Sequence, residues 1–340
     1  MTKPGHYLLC SVLLAVAGCS SLDAIHREGA RHDASRPLQT LYETRIIEAA
    51  TGTPQTLPAL AETLVEADVV VIGEYHGHPG AHLLQSQIQQ ALYQRRPDQI
   101  LTLEQFAIDR QPALDRYLAG ETGEREMIEE AAAWANYQAS YRPLVEFAIA
   151  NDLPVIATNA PREVVRCVGR QGTGYLDTLT PDVRATLPEP PFPGSTAYRD
   201  KFLATMAGGS HGSRDQSRLM NSYQAQLLRD YTMASRILVA LEQHPGAQIL
   251  HLTGTFHSED HLGTVQAIQQ QAPDLDVVVL SPIFSDSEGA FPDLAGQRDR
   301  GDFLYLLSPL PVQFRDAQRQ LRDLQRRFAD APPIDCQPEP

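Results

Sequence analysis

Two short apolar runs, far apart in the chain, end in the same way. Val69-Val70-Val71-Ile72 leads through Gly73 to His76, and Ile249-Leu250-His251-Leu252 leads through Gly254 to His257, so both segments read GxxH. Apolar runs without polar alternation predict parallel strands covered on both faces. The glycine is expected to turn the chain sharply and leave the polar side chains after it at the carboxyl edge of the sheet, where open α/β sheets bind their ligands. The pattern therefore predicts that His76 and His257 face one another across a single site.

The rest of the chain alternates between the two periods. Further strands are expected at Ile100–Leu103, ending in Glu104-Gln105-Phe106, and at Pro154–Thr158, Val277–Leu280 and Phe303–Leu306. Thr56-Leu57-Pro58 predicts a helix capped by Thr56 and running to about Glu66. Pro79 opens another, to about Arg95, with Leu84, Ile88 and Leu92 at helical spacing. A helix from about Ser258 to Gln271 should follow the second GxxH. Helical periodicity over parts of 107–150 and 195–243 reads as a smaller helical lobe beside the sheet. Residues between Gly169 and Gly194 are rich in proline and glycine and read as irregular. A charged amphipathic helix, Val312–Phe328, should complete the globular part, and the proline-rich 331–340 reads as a loose tail. Strands alternating with helices predict an α/β fold: a mainly parallel β-sheet flanked by helices, with the helical lobe at its side.

Composition narrows the partners. The 340 residues are 42% hydrophobic, enough for a packed core, and carry a formal net charge of -14. Such an acid surface argues against nucleic acid as the main partner. Lys3, the apolar stretch Tyr7–Ala17 and the closing Val16-Ala17-Gly18-Cys19 make residues 1–18 a targeting segment too short to span a bilayer. It resembles a bacterial lipobox with Cys19 as the lipidated residue; an ordinary secretory peptide is the alternative. Ser20 rather than aspartate after the cysteine favours the outer membrane. Residues 19–40 then form a tether, and 41–330 the folded domain. With the leader gone, Cys167 and Cys336 remain as thiols that an exported protein could join, and the sequence leaves their pairing open.

The candidate chemistry clusters at the expected sheet edge. Glu74, His76 and His78 alternate and so point the same way in an extended segment, Glu104 leaves the neighbouring strand, and His257 arrives from the other half. Two imidazoles with one or two carboxylates suit a divalent metal such as zinc, manganese or iron, with His251 inside its strand as a further ligand or supporting partner. In a hydrolase, Glu74 and Glu104 would be the catalytic carboxylates. His82, in the first turn of its helix, is a weaker candidate. Glu259 and Asp260 are read as acids at a helix N-terminus. No GxSxG or phosphate loop is present. Tyr75, Phe106, Trp134, Tyr137 and Tyr141 could wall a flat apolar ligand such as haem, which needs an axial Tyr or His. Tyr75, inside the first motif, is the tyrosine to test first.

These segments together carry a family resemblance. Glu74-Tyr75-His76 after Gly73, Leu103-Glu104-Gln105-Phe106, Ala157-Thr158-Asn159-Ala160-Pro161-Arg162, Ala225-Gln226-Leu227-Leu228-Arg229-Asp230 with Met233-Ala234, and Gly254-Thr255-Phe256-His257 resemble the ChaN family of iron-regulated haem-binding lipoproteins. The resemblance covers about Leu41 to Leu280. ChaN groups with the Tiki, TraB and erythromycin-esterase-like proteins, which share a parallel sheet with a helical lobe. In the Tiki branch two GxxH motifs and a glutamate serve a metal-dependent protease, and Gly73 to His76, Gly254 to His257 and Glu104 match them. For ChaN the resemblance implies haem held between two subunits but does not pick out the residue that ligates it; Tyr75, His76 and His257 are the candidate ligands read from the chain itself. The resemblance also implies haem or iron acquisition at the outer membrane, with a haem receptor there as a partner. A lipid-anchored haem-binding protein and a metal-dependent hydrolase are the two readings that remain.

Overall fold

A computed structural model describes residues 37–208, 216–286, 293–329 and 334–337. The expected leader and most of the tether, Cys19 included, lie outside the described residues. Eight strands form one sheet: β1 (Arg45–Glu48), β2 (Pro54–Gln55), β3 (Val69–Glu74), β4 (Gln99–Ala107), β5 (Val155–Asn159), β6 (Gln248–Gly254), β7 (Val277–Phe284) and β8 (Phe303–Leu307), in the order β2-β1-β8-β7-β3-β6-β4-β5. From β8 to β5 every pairing is parallel, while β1 pairs antiparallel with β8 and with β2. The α/β class is as expected, and the antiparallel pair at one edge is an addition to it.

Successive strand residues point to opposite faces, and here both faces are buried. Val70, Ile72, Leu101, Leu103, Leu250 and Leu252 enter one core cluster; Val69, Val71, Ile100 and Ile249 enter another. The first face is covered by α1 (Leu57–Leu64), α2 (Pro79–Tyr93), α3 (Gln111–Leu118), α4 (Glu124–Glu130), α5 (Tyr137–Ser140) and α6 (Arg142–Ala150). Helices α7 (Arg162–Gln171), α9 (Thr196–Gly208), α10 (Gln216–Gln243) and α11 (Thr264–Gln271) pack on the second, with the short α8 (Pro181–Ala185) between α7 and α9. The helical stretches 107–150 and 195–243 thus lie in separate core clusters. No helix among the described residues is long and apolar enough to cross a membrane.

Local chemistry explains the boundaries. Thr56 Oγ1 accepts from the Ala59 N–H at 3.3 Å and starts α1, with proline in the first turn. Strand β4 runs past Leu103 to Ala107, so Glu104 stands inside a strand rather than after one. Helix α11 starts at Thr264 and not near Ser258, because Asp260 and His261 take positive φ of 63° and 55°. Glu259 and Asp260 fall in a separate 3-10 turn, Glu259–His261, ahead of α11 and not in its own first turn. Lys201 Nζ lies 3.1 Å from Glu259 and 2.9 Å from Asp260, and Arg300 pairs with Glu259.

Three further features stand out. Part of the stretch expected to be loose is tied down: Cys167 and Cys336 form a disulfide, and Arg170 and Gln171 donate to the carbonyls of Ile334 and Cys336. At the β5 edge, Gln111 Oε1 accepts from the Ala157 N–H at 2.6 Å while its Nε2 donates to the Val155 carbonyl at 3.0 Å. The last helix, α12 (Ala317–Ala329), leaves its side chains from Ala317 to Arg326 exposed, Asp323 excepted, instead of burying a face in the globular part.

Candidate functional site

Strands β3 and β6 are neighbours in parallel register, with Gly73 beside Thr253 and Glu74 beside Gly254. Both GxxH segments therefore leave the sheet at the same end. Each glycine makes room for the other segment. A Cβ on Gly254 would stand 2.8 Å from His76 Cε1, and one on Gly73 would stand 2.6 Å from Ser258 Oγ. The motif glycines thus serve close approach rather than the sharp turn expected of them: Gly254 has an ordinary φ of -62°, and the positive φ of 79° belongs to Gly77.

Glu104 is the centre of the arrangement. The β4–β5 register shifts between Leu103 and Ala107, the kind of irregularity that re-aims a side chain. Thr253 Oγ1 and the Gly254 N–H both donate to Glu104 Oε2 at 2.7 Å, and Arg229 Nη2 donates to Oε1 at 2.5 Å. Arg229, from α10, is itself oriented by Nε donating to Asn159 Oδ1 at 3.1 Å, while Asn159 Nδ2 donates to the Glu104 carbonyl at 3.0 Å. His257 Nε2 lies 3.6 Å from Glu104 Oε1. Burial works to raise the Glu104 pKa, but the charges of His257, Arg229 and His76 and the Gly254 N–H outweigh it. The carboxyl is held well below the usual range.

The two histidines differ in access. His257 is 4% exposed; its Nδ1 donates to Asp230 Oδ1 at 2.7 Å, and Gln226 Nε2 approaches its Nε2 at 3.1 Å. Asp230 also accepts from Tyr198 Oη at 2.6 Å and Thr264 Oγ1 at 3.0 Å. His76 is 45% exposed, with Nδ1 donating to Glu74 Oε1 at 2.9 Å and its ring edge-on to Trp134 at 4.8 Å. Burial pulls the His76 pKa down, yet the bond to Glu74 and the carboxylates of Glu104 and Glu74 raise it above the ordinary imidazole value. Glu74 is buried and also accepts from Tyr141 Oη and from Gln85 Nε2 at 2.6 Å.

The remaining candidates have other work. His78 caps α2 through Gly80 N–H and bonds the Ser308 carbonyl at 2.8 Å, away from Glu104. His82 accepts from the Gly77 N–H at 3.2 Å and pairs with Gln85. His251 is fully buried, with Nδ1 at 2.9 Å from Thr102 Oγ1 and Nε2 without a hydrogen-bond partner, and burial pushes its pKa down to about 4. Tyr75 stacks on Phe284 with centroids 4.5 Å apart, and its hydroxyl accepts from Arg300 at 3.2 Å.

This donor set does not fit the divalent metal considered for His76, His257, Glu104, Glu74, His78 and His251. A guanidinium already pairs with Glu104 Oε1 while Thr253 and the Gly254 N–H take Oε2, and Glu74 spends both oxygens on neutral and imidazole donors. Among the described residues no three His, Cys, Asp or Glu side chains group as metal ligands.

A flat apolar group fares better. A cavity of about 710 Å³ is lined by Glu104 and Arg229 of this network, by Ala131, Trp134, Ala160, Val164, Leu179 and Tyr175, by Arg110, Arg162 and Arg166, and by the acids Asp109 and Glu163, while Tyr75, His76 and His257 do not line it. Apolar walls, a phenol and arginines are what a porphyrin with iron and carboxylate side chains requires. Ile334 and Gln337, clipped by the disulfide, complete one wall. Motif spacing marks Glu104 and His76, whereas Arg229, Asp230 and Asn159 lie in segments that carry the family resemblance without any spacing that points to a role. Tyr175 fell in the stretch read as irregular.

Comparison with known proteins agrees with this architecture. The model of the haem-binding uptake family ChaN, of the Tiki superfamily, matches residues 60–268, and the chain belongs to that family. Among solved structures, one described as cofacial haem binding to ChaN of Campylobacter jejuni aligns with a TM-score of 0.59 at 16% identity, covering 80% of this chain and 100% of that one. A mutant of the erythromycin esterase EreC in its open conformation aligns with a TM-score of 0.43 at 13% identity, covering 83% of this chain and 87% of that one. No curated protein sequence matches.

Proposed function

We propose that the chain is a lipid-anchored haem-binding protein taking part in haem and iron acquisition at the bacterial outer membrane. The observation that carries this reading is the cavity beside Glu104 and Arg229, which joins apolar walls to Tyr175 and three further arginines in a member of a haem-binding uptake family. Tyr175 in the wall, and the His76 imidazole that lies outside the lining but edge-on to its Trp134, are the groups assigned here to iron, and Arg162 and Arg110, the latter paired with Asp109, would face the carboxylates. His257, buried on Asp230, and Tyr75, engaged by Arg300, do not line this cavity. The lipobox-like Val16–Cys19 supports the anchor, and the disulfide suits an exported chain. A second copy and an outer-membrane haem receptor are the protein partners of this proposal. Titrating the purified protein with haem should give a Soret band that shifts or vanishes in Tyr175→Phe or His76→Ala. No uptake of haem by the wild-type protein overturns the reading.

A further inference from the structure

Over Ala317–Arg326 the side chains of helix α12 are exposed except that of Asp323, which is half-buried. Leu321 and Leu324 are 54% and 47% exposed, and the residues on both sides of them are exposed or half-buried along the helix. Their spacing puts them on one face, as i and i+3. Arginines at 319, 322 and 326 fall on the opposite side of the helical wheel, and the 13 residues hold four arginines against one aspartate. This is a local reversal of charge in a chain of net charge -14. A helix of this length is marginal in water on its own, so a surface that takes its leucines would stabilise it.

The charge decides which surface. Pairing α12 with the same helix of a second copy would bring two positive segments together over fewer than two heptads. An anionic bilayer surface offers apolar depth for the leucines and negative headgroups for the arginines, and a helix with low mean hydropathy, one leucine face and one arginine face is the type that lies in that plane. We propose that α12 is a membrane-surface helix that lays Leu321 and Leu324 into an anionic phospholipid layer with Arg319, Arg322 and Arg326 at the headgroups. It acts independently of any lipid on Cys19, and holds one side of the domain down on the bilayer.

The test uses the chain from residue 19 onward with Cys19→Ser, so that no acyl chain contributes. Vesicles of phosphatidylcholine containing phosphatidylglycerol should sediment with the protein, and vesicles of phosphatidylcholine alone should not. Binding should weaken on raising the salt from 0.1 M toward about 1 M, where the screening length falls from about 10 to about 3 Å. Replacing the three arginines together by glutamine should lower partitioning by on the order of 100-fold, since each is worth about 1 kcal/mol near such a surface. Leu321→Gln with Leu324→Gln should also release the protein, with its thermal midpoint unchanged. Equal binding to both vesicle types overturns the proposal. So does binding that survives both sets of substitutions, or a dimer that the leucine substitutions dissolve in a protein that ignores vesicles.

Discussion

His76 lies against the backbone of Gly254, so close that a methyl group there would stand 2.8 Å from its imidazole. Gly254→Ala should therefore displace His76 from Glu74, costing about 1–3 kcal/mol as overpacking does. Urea denaturation measures the loss. NMR titration of His76 should show its pKa falling back toward the ordinary imidazole value. Gly174→Ala, where a Cβ would meet nothing within 4 Å, is the matched control.

Arg229 and Glu104 form a pair whose carboxylate is 1% exposed. Removing the cation alone, as Arg229→Met, leaves that buried charge with less compensation and should cost about 3–5 kcal/mol. Adding Glu104→Gln should recover part of the cost. Chemical denaturation of both singles and the double mutant measures the coupling, and strict additivity would contradict the pairing.

Stability should fall on the acid side in two stages. His251 has its pKa lowered to about 4, so below about 6.5 the unfolded chain takes up a proton that the folded chain refuses. Between those values up to about 3 kcal/mol is lost, and His251→Gln should flatten that part of the profile. Glu104 is depressed, so its contribution is present above the ordinary carboxylate pKa and disappears as pH falls through and below it. His76 runs the other way: its raised pKa stabilises below about 6.5 and is lost as pH rises through the folded value, with a smaller effect because the ring is exposed. Denaturant midpoints recorded from about pH 2 to 8 separate these contributions, with the Glu104 loss confined to the acid end.

The disulfide ties Cys336 to α7 across 169 residues of chain and positions Ile334 and Gln337 in the cavity wall. Cys336→Ser should cost about 3–5 kcal/mol on the chain-entropy account. It should also increase the rate at which a porphyrin leaves, read by stopped-flow absorbance. Equal release rates with and without the disulfide would show that the tail does not wall the site.

Much of this was legible in the chain because parallel strands buried on both faces write themselves as unbroken apolar runs. Val69–Ile72 and Ile249–Leu252 are such runs, and their register puts both GxxH segments at one edge. What could not be read was long-range pairing. Arg229 and Asp230 sit next to each other in a long helix, and nothing in its periodicity says that one reaches Glu104 and the other His257. The β1–β2 pair is too short, and too polar at its ends, to stand out. The break at Asp260 and His261 depends on left-handed backbone in residues that are not glycine.

The glutamine that closes the β5 border has a consequence for assembly. One Gln111 amide supplies the donor and the acceptor that an incoming chain would use, and the opposite margin ends in the two-residue β2, where Pro54 has no N–H to offer. Neither rim is a template for strand addition, so the molecule is guarded against growing into sheet-like aggregates. Self-association through the described residues is then expected to use helices and loops rather than the sheet edges.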